Sequence, residues 1–228
     1  MRICFVNSGT VERYAKTLPK SCLEEPSAEI ALFSFEGLGE VEYEKELKGE
    51  TSAFFETTEL SKRLQGVVVS GCITSTRGHK RKSAVVADNG KLLGVSDMLH
   101  AIDGEVSSGA TLRVYETRIG KMGVVVGGDL FFPDTFKSLS LCGSDFIVCV
   151  YPYLQGVEQI LIRANAFSYG VPILFCGNGY AMLADTTGGV AFASAQSPAY
   201  MQFTPKKEYH LIEMRCIGVY NNSQKRDF

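Results

Sequence analysis

The stretch Gly120-Lys121-Met122-Gly123-Val124-Val125-Val126-Gly127-Gly128-Asp129-Leu130-Phe131-Phe132-Pro133-Asp134 constrains the fold more than any other part of the 228-residue chain. Residues 122–126 form a short apolar run rich in β-branched side chains, which reads as a buried strand. Two glycines then make a corner, and Pro133 suits the first turn of a helix because its missing N–H would have no intrahelical partner there. A strand that runs into a glycine corner and then a helix start places the corner residue at the strand's C-terminal end. Backbone N–H groups and the positive end of the helix dipole face it. That geometry suits a nucleophile held beside an oxyanion hole.

The flanking sequence repeats the theme. Residues 3–6, 30–35 and 67–70 read as buried strands, with a short helix in 11–19 and a longer one over 53–64. Residues 83–87 and 92–95 flank Asp88-Asn89-Gly90-Lys91, whose Asn-Gly pair supplies the positive φ angles of a tight hairpin. Further strands are expected at 112–116, 146–150, 172–175, 190–193, 199–203 and 210–214, with helices after Pro133 and over 157–169. Helices separated by strand pairs and hairpins predict an α/β fold of sheets stacked face to face with helices outside. No repeat or linker interrupts the pattern, so one domain over residues 1–228 is expected.

Composition narrows the function classes. Charged residues make up 21% of the chain and the net charge is -2, which favours neither nucleic acid nor an anionic membrane. The apolar run at 3–6 is too short for a signal-peptide core or a membrane span, and a cytoplasmic protein is expected. Seven cysteines at scattered spacings predict no disulfide framework. There is no C-x-x-C or H-E-x-x-H, and His79, His100 and His210 are far apart, so neither a metal nor any other cofactor is expected. His100 reads equally as a packed histidine or a ligand. The acidic residues of 40–48 and the basic cluster Arg77-Gly78-His79-Lys80-Arg81-Lys82 read as a solvated face and a solvated loop.

The corner segment resembles the nucleophile elbow of the nitrilase superfamily, the carbon–nitrogen hydrolases. Gly123, Val124, Asp129, Phe132 and Pro133 match its pattern, followed by Gly143-Ser144-Asp145-Phe146-Ile147. Phe33-Ser34-Phe35-Glu36, Asn89-Gly90-Lys91-Leu92-Leu93-Gly94, Arg163-Ala164-Asn165-Ala166, Asn178 and Gly188-Gly189-Val190-Ala191-Phe192 fall in the family's order, over about residues 2 to 215. The resemblance implies a four-layer αββα sandwich. It also implies a homodimer paired through helices flanking the elbow strand, with residues 135–141 and 159–168 near the interface.

The family acts with a Glu base, a Lys that stabilises the oxyanion and a Cys that forms a thioester. Carried over one at a time, the Glu falls on Glu36, the Lys on Met98 and the Cys on Gly127, while Glu105 matches a second acidic residue of some members. Glycine offers no nucleophile, and methionine carries neither charge nor a donor. Loss of one acting group costs orders of magnitude in rate, so the acyl-enzyme route should be closed. The expectation is a nitrilase-like protein that binds a small amine or amide through Glu36, with Glu105, Gly128, Cys72 and Asn178 lining the same site, or that serves as a partner subunit. The alternative is an amide hydrolase with rearranged groups, in which Cys72, at the end of the strand at 67–70, would be the relocated thiolate.

Overall fold

The computed structural model describes residues 1–17, 28–101, 106–152 and 156–207. In chain order the elements are β1 (Arg2–Val6), α1 (Val11–Thr17), β2 (Ile30–Phe33), β3 (Glu40–Glu42), α2 (Tyr43–Lys48), α3 (Ala53–Leu64), β4 (Val67–Thr76), β5 (His79–Asp88), β6 (Lys91–Asp97), β7 (Val114–Thr117) and β8 (Gly120–Val126). A 3-10 turn, Gly127–Phe131, leads to α4 (Pro133–Leu141), β9 (Phe146–Tyr151), α5 (Val157–Tyr169), β10 (Ile173–Gly177), β11 (Tyr180–Ala184), β12 (Val190–Ser194) and β13 (Ala199–Gln202).

The strands form two mixed sheets. One runs β13-β1-β2-β4-β5-β6, with β3 also paired to β4, and the other runs β12-β11-β10-β9-β8-β7. The period-2 alternation of side chains sorts every central strand between two layers of apolar packing. Ile3, Phe5, Ile30, Leu32, Val67 and Val69 face Val124, Val126, Val148 and Leu174 across the space between the sheets. Their neighbours Cys4, Ala31, Phe33 and Val68 face outward, under Val11 and Tyr14 of α1 and Leu60 and Leu64 of α3. On the second sheet Val125, Ile147 and Ile173 face outward, under Phe136 and Leu139 of α4 and Ile162 and Ala166 of α5. Continuous apolar runs such as Val67-Val68-Val69 are therefore strands covered on both faces. The result is the expected αββα sandwich.

Three local readings need correction. The strand expected over 30–35 ends at Phe33, because Ser34 opens a turn closed by the Gly37 N–H donating to the Ser34 carbonyl at 3.0 Å. The basic cluster is not all loop, since only Arg77 and Gly78 make the turn and His79 already lies in β5. Lys80 pairs with Glu40 and Arg81 with Asp97, so a charged ribbon reaches past the sheet and stays solvated. The acidic run is partly a strand, β3 (Glu40–Glu42), followed by α2. The strand expected at 210–214 lies outside the described residues. The Asn89-Gly90 hairpin holds as read, with φ of 46° and 83° at its two turn residues.

Asp145, in the Gly-Ser-Asp run, joins the starts of β8 and β9. Its carboxylate accepts the Lys121 backbone N–H at 2.7 Å and pairs with Lys207 Nζ at 3.0 Å. Burial alone would raise its pKa, but these partners outweigh burial and hold it below the usual carboxylate value. A depressed carboxylate contributes stability above its unfolded pKa and loses it as pH falls through the folded one. Asp145→Asn should lower Tm at neutral pH, and the difference from wild type should shrink as pH falls and the folded carboxylate takes up its proton, measured by thermal melts across the acid range.

Candidate active site

The elbow is built as the sequence suggests. β8 ends at Val126, Gly127 takes a φ of +54°, and the 3-10 turn leads into α4 with Pro133 in its first turn. A buried carboxylate fixes what stands opposite. Asp129, 1% exposed, accepts the backbone N–H of Leu99 at 2.9 Å and that of His100 at 2.8 Å, and meets His100 Nδ1 at 2.8 Å. The acid thus draws the segment after β6 onto the elbow and presents Met98 to it.

The space over Gly127 is filled. A Cβ there would stand 2.8 Å from Met98 Sδ and 3.4 Å from Lys82 Cδ. Met98 is 1% exposed, and its sulfur takes a contact from the Gly128 N–H at 3.1 Å. That N–H, at the corner between strand and helix, is engaged by the protein's own thioether. Gly128, expected to line a ligand site together with Glu36, has its N–H against the Met98 sulfur. Methionine is long and unbranched enough to fill the space over a glycine.

Lys82 is the residue that sequence reasoning missed. Ala84 and Val86 of β5 face the inter-sheet core, so Lys82, two residues earlier, faces the same way and lies against the elbow. Its backbone carbonyl also accepts the Met98 N–H at 2.8 Å. The period-2 signal is present in the sequence, but a loop reading of residues 77–82 hides it.

Of the other expected residues that are described, Glu36, Cys72 and Asn178 are not among the groups nearest Gly127. Phe35, not Glu36, turns into the inter-sheet core, and Glu36 is exposed. Glu36 lines a separate cavity of about 430 Å³ with Ser8, Thr10, Arg13, Tyr14 and Ser197, at the end of β1 and along α1. The turn that begins at Ser34 breaks strand alternation there, which is why the acid faces outward. Cys72 sits on the opposite face of its sheet from Gly71, packed with Val41 and Val85. Burial pushes its thiol pKa up, with the Asp97 charge adding to the shift, so a reactive thiolate at this position is not supported. Asn178 is in the turn between β10 and β11, two strands across from β8 and roughly 10 Å away on sheet spacing. Its Oδ1 is buried without a hydrogen-bond partner. Glu105 lies outside the described residues.

No family model matches the chain. A probable nitrilase of Schizosaccharomyces pombe is 29% identical over 96 residues, a match covering 39% of this chain and 35% of that protein. The backbone decides more. Saccharomyces cerevisiae Nit3, a member of branch 10 of the nitrilase superfamily, superposes with a TM-score of 0.71 over 100% of this chain and 97% of its own, at 14% identity. The chain has the nitrilase fold. A carbon–nitrogen hydrolase from Helicobacter pylori gives 0.69 at 16% identity, covering 100% and 95% of the two chains. A variant of the amidase from Nesterenkonia sp. AN1, in complex with butyramide, gives 0.73 at 13%, covering 98% and 97%.

Within this nitrilase fold the described thiols stand away from the elbow corner. Cys176 lies in the inter-sheet core and points its Sγ to the Leu32 carbonyl at 3.5 Å, while Cys149 is buried on the outer face of β9. Burial raises the pKa of both. Cys142 is exposed at the C-terminal end of α4, and Lys207 is engaged by Asp145. Among the described residues no three His, Cys, Asp or Glu side chains group as a metal centre requires, and no helix is long and apolar enough to cross a membrane.

Asp129→Ala should destabilise the fold by roughly 2–4 kcal/mol, because two backbone N–H groups and the His100 ring lose their acceptor together. Urea denaturation would measure it, and the His100→Ala variant should cost less, since the two backbone bonds survive.

Proposed function

We propose that this chain is a member of the nitrilase superfamily that does not work by the Glu, Lys and Cys thioester route. The observation that carries this reading is the packing at Gly127: no side chain there can attack a carbonyl, and Met98 occupies both the vacated volume and the Gly128 N–H. Glu36, exposed and beside Arg13 in a cavity lined by serine and threonine, is the carboxylate available to a small amine or amide. The acid would accept N–H groups of the ligand, and the guanidinium would donate to its carbonyl. The protein is proposed to act by binding such a ligand in the cytoplasm, without a cofactor.

A second reading, hydrolysis with rearranged groups, is favoured by one observation, the Lys82 side chain beside the elbow. It supplies a cation near the place where the oxyanion would form, but a nucleophile is still required. Incubation with butyramide and related small amides should release no ammonia and leave the intact protein mass unchanged. Turnover accompanied by an acyl adduct on any residue would overturn the proposal. Calorimetry with a panel of amines and amides should give heats that Glu36→Ala removes, and equal heats for both proteins would end the binding role of Glu36.

The partner is proposed to be a second copy. Leu141, Ile160 and Phe167 on α4 and α5 are 47%, 66% and 50% exposed, forming an apolar face on the outer side of the second sheet. The pair of substitutions Ile160→Asp and Phe167→Asp should convert a dimer to a monomer in light scattering.

A further inference from the structure

Away from both Gly127 and Glu36, a groove of about 480 Å³ runs beside α4. Its walls are mostly apolar, Leu99, Leu112, Val114 and Leu139, and its volume is within the range of small-molecule sites. Two polar groups stand out. Thr135, 3% exposed and lining the groove, has an Oγ1 with no hydrogen-bond partner. A buried hydroxyl in that state is the kind of group a bound molecule satisfies. His100 also lines the groove, stacked on Phe132 with ring centroids 3.8 Å apart and an interplanar angle of 11°. The Asp129 carboxylate engages Nδ1, so Nε2 is the ring nitrogen left to a ligand, and the ring's orientation is fixed on two sides.

We propose that this groove binds a small amphipathic molecule, an aromatic or branched aliphatic body carrying one hydroxyl or amide N–H. The body lies against the leucines and Val114, the ligand's hydrogen is donated to His100 Nε2, and Thr135 Oγ1 completes the pairing. Asp134 at the rim makes an anionic ligand unfavourable. The site stands independently of whether the elbow is catalytic, because its lining includes none of Gly127, Met98, Lys82 or Glu36.

Titration with benzyl alcohol, benzamide and toluene, followed by NMR shifts, tests it. The alcohol and the amide should bind saturably in the millimolar range, with toluene about tenfold weaker. Thr135→Val should bring the alcohol about threefold closer to toluene, the His100 bond keeping the rest of the gap, and leave toluene unchanged. Leu112→Phe, which fills the groove without touching either polar group, should abolish binding of all three. Absence of saturable binding, toluene as tight as benzyl alcohol, no effect of Thr135→Val, or binding that survives Leu112→Phe would each overturn the proposal.

Discussion

The carboxylate of Asp129 ties the two sheets together at the corner after β8. It belongs to the turn after β8 in one sheet, and the groups it accepts, the N–H of Leu99 and His100 and the His100 ring, follow β6 in the other. A buried acid is costly unless its lone pairs are filled, and here three donors fill them. Because those donors are consecutive with Met98, satisfying the acid also sets where the thioether lies. The filled elbow and the oriented histidine are two consequences of one cluster of hydrogen bonds.

That cluster sits in a frame whose logic is alternation. Each central strand carries one apolar face to the other sheet and one to a helix layer, so neither face can take a charge without local compensation. Lys82 lies on the inward face at the point where β5 leaves the apolar core, with its aliphatic stem against Gly127. A lysine is tolerated there because its stem packs as a hydrocarbon.

Much of this was legible in the residues. The apolar run and glycine corner of 122–128, the Pro133 helix start and the Asn89-Gly90 hairpin each rest on short-range backbone chemistry, and each stands where it was expected. Helices over 53–64 and 157–169 likewise match α3 and α5. The placement of Glu36 was not legible, because one turn of four residues decides whether an acid at a strand end faces the inter-sheet core or the solvent. Nor was the orphaned hydroxyl of Thr135, which depends on what loops far away in sequence leave unpaired around α4.

The sequence by itself determined the layers of the fold and the absence of a thiol or hydroxyl at position 127, since both follow from side-chain identity and from periodicities of a few residues. Only the tertiary structure decided which groups share a site. Met98 and Lys82 come to Gly127, and Glu36 goes to α1, because hydrogen bonds and packing between segments tens of residues apart set those positions. No local pattern encodes a distance of that kind.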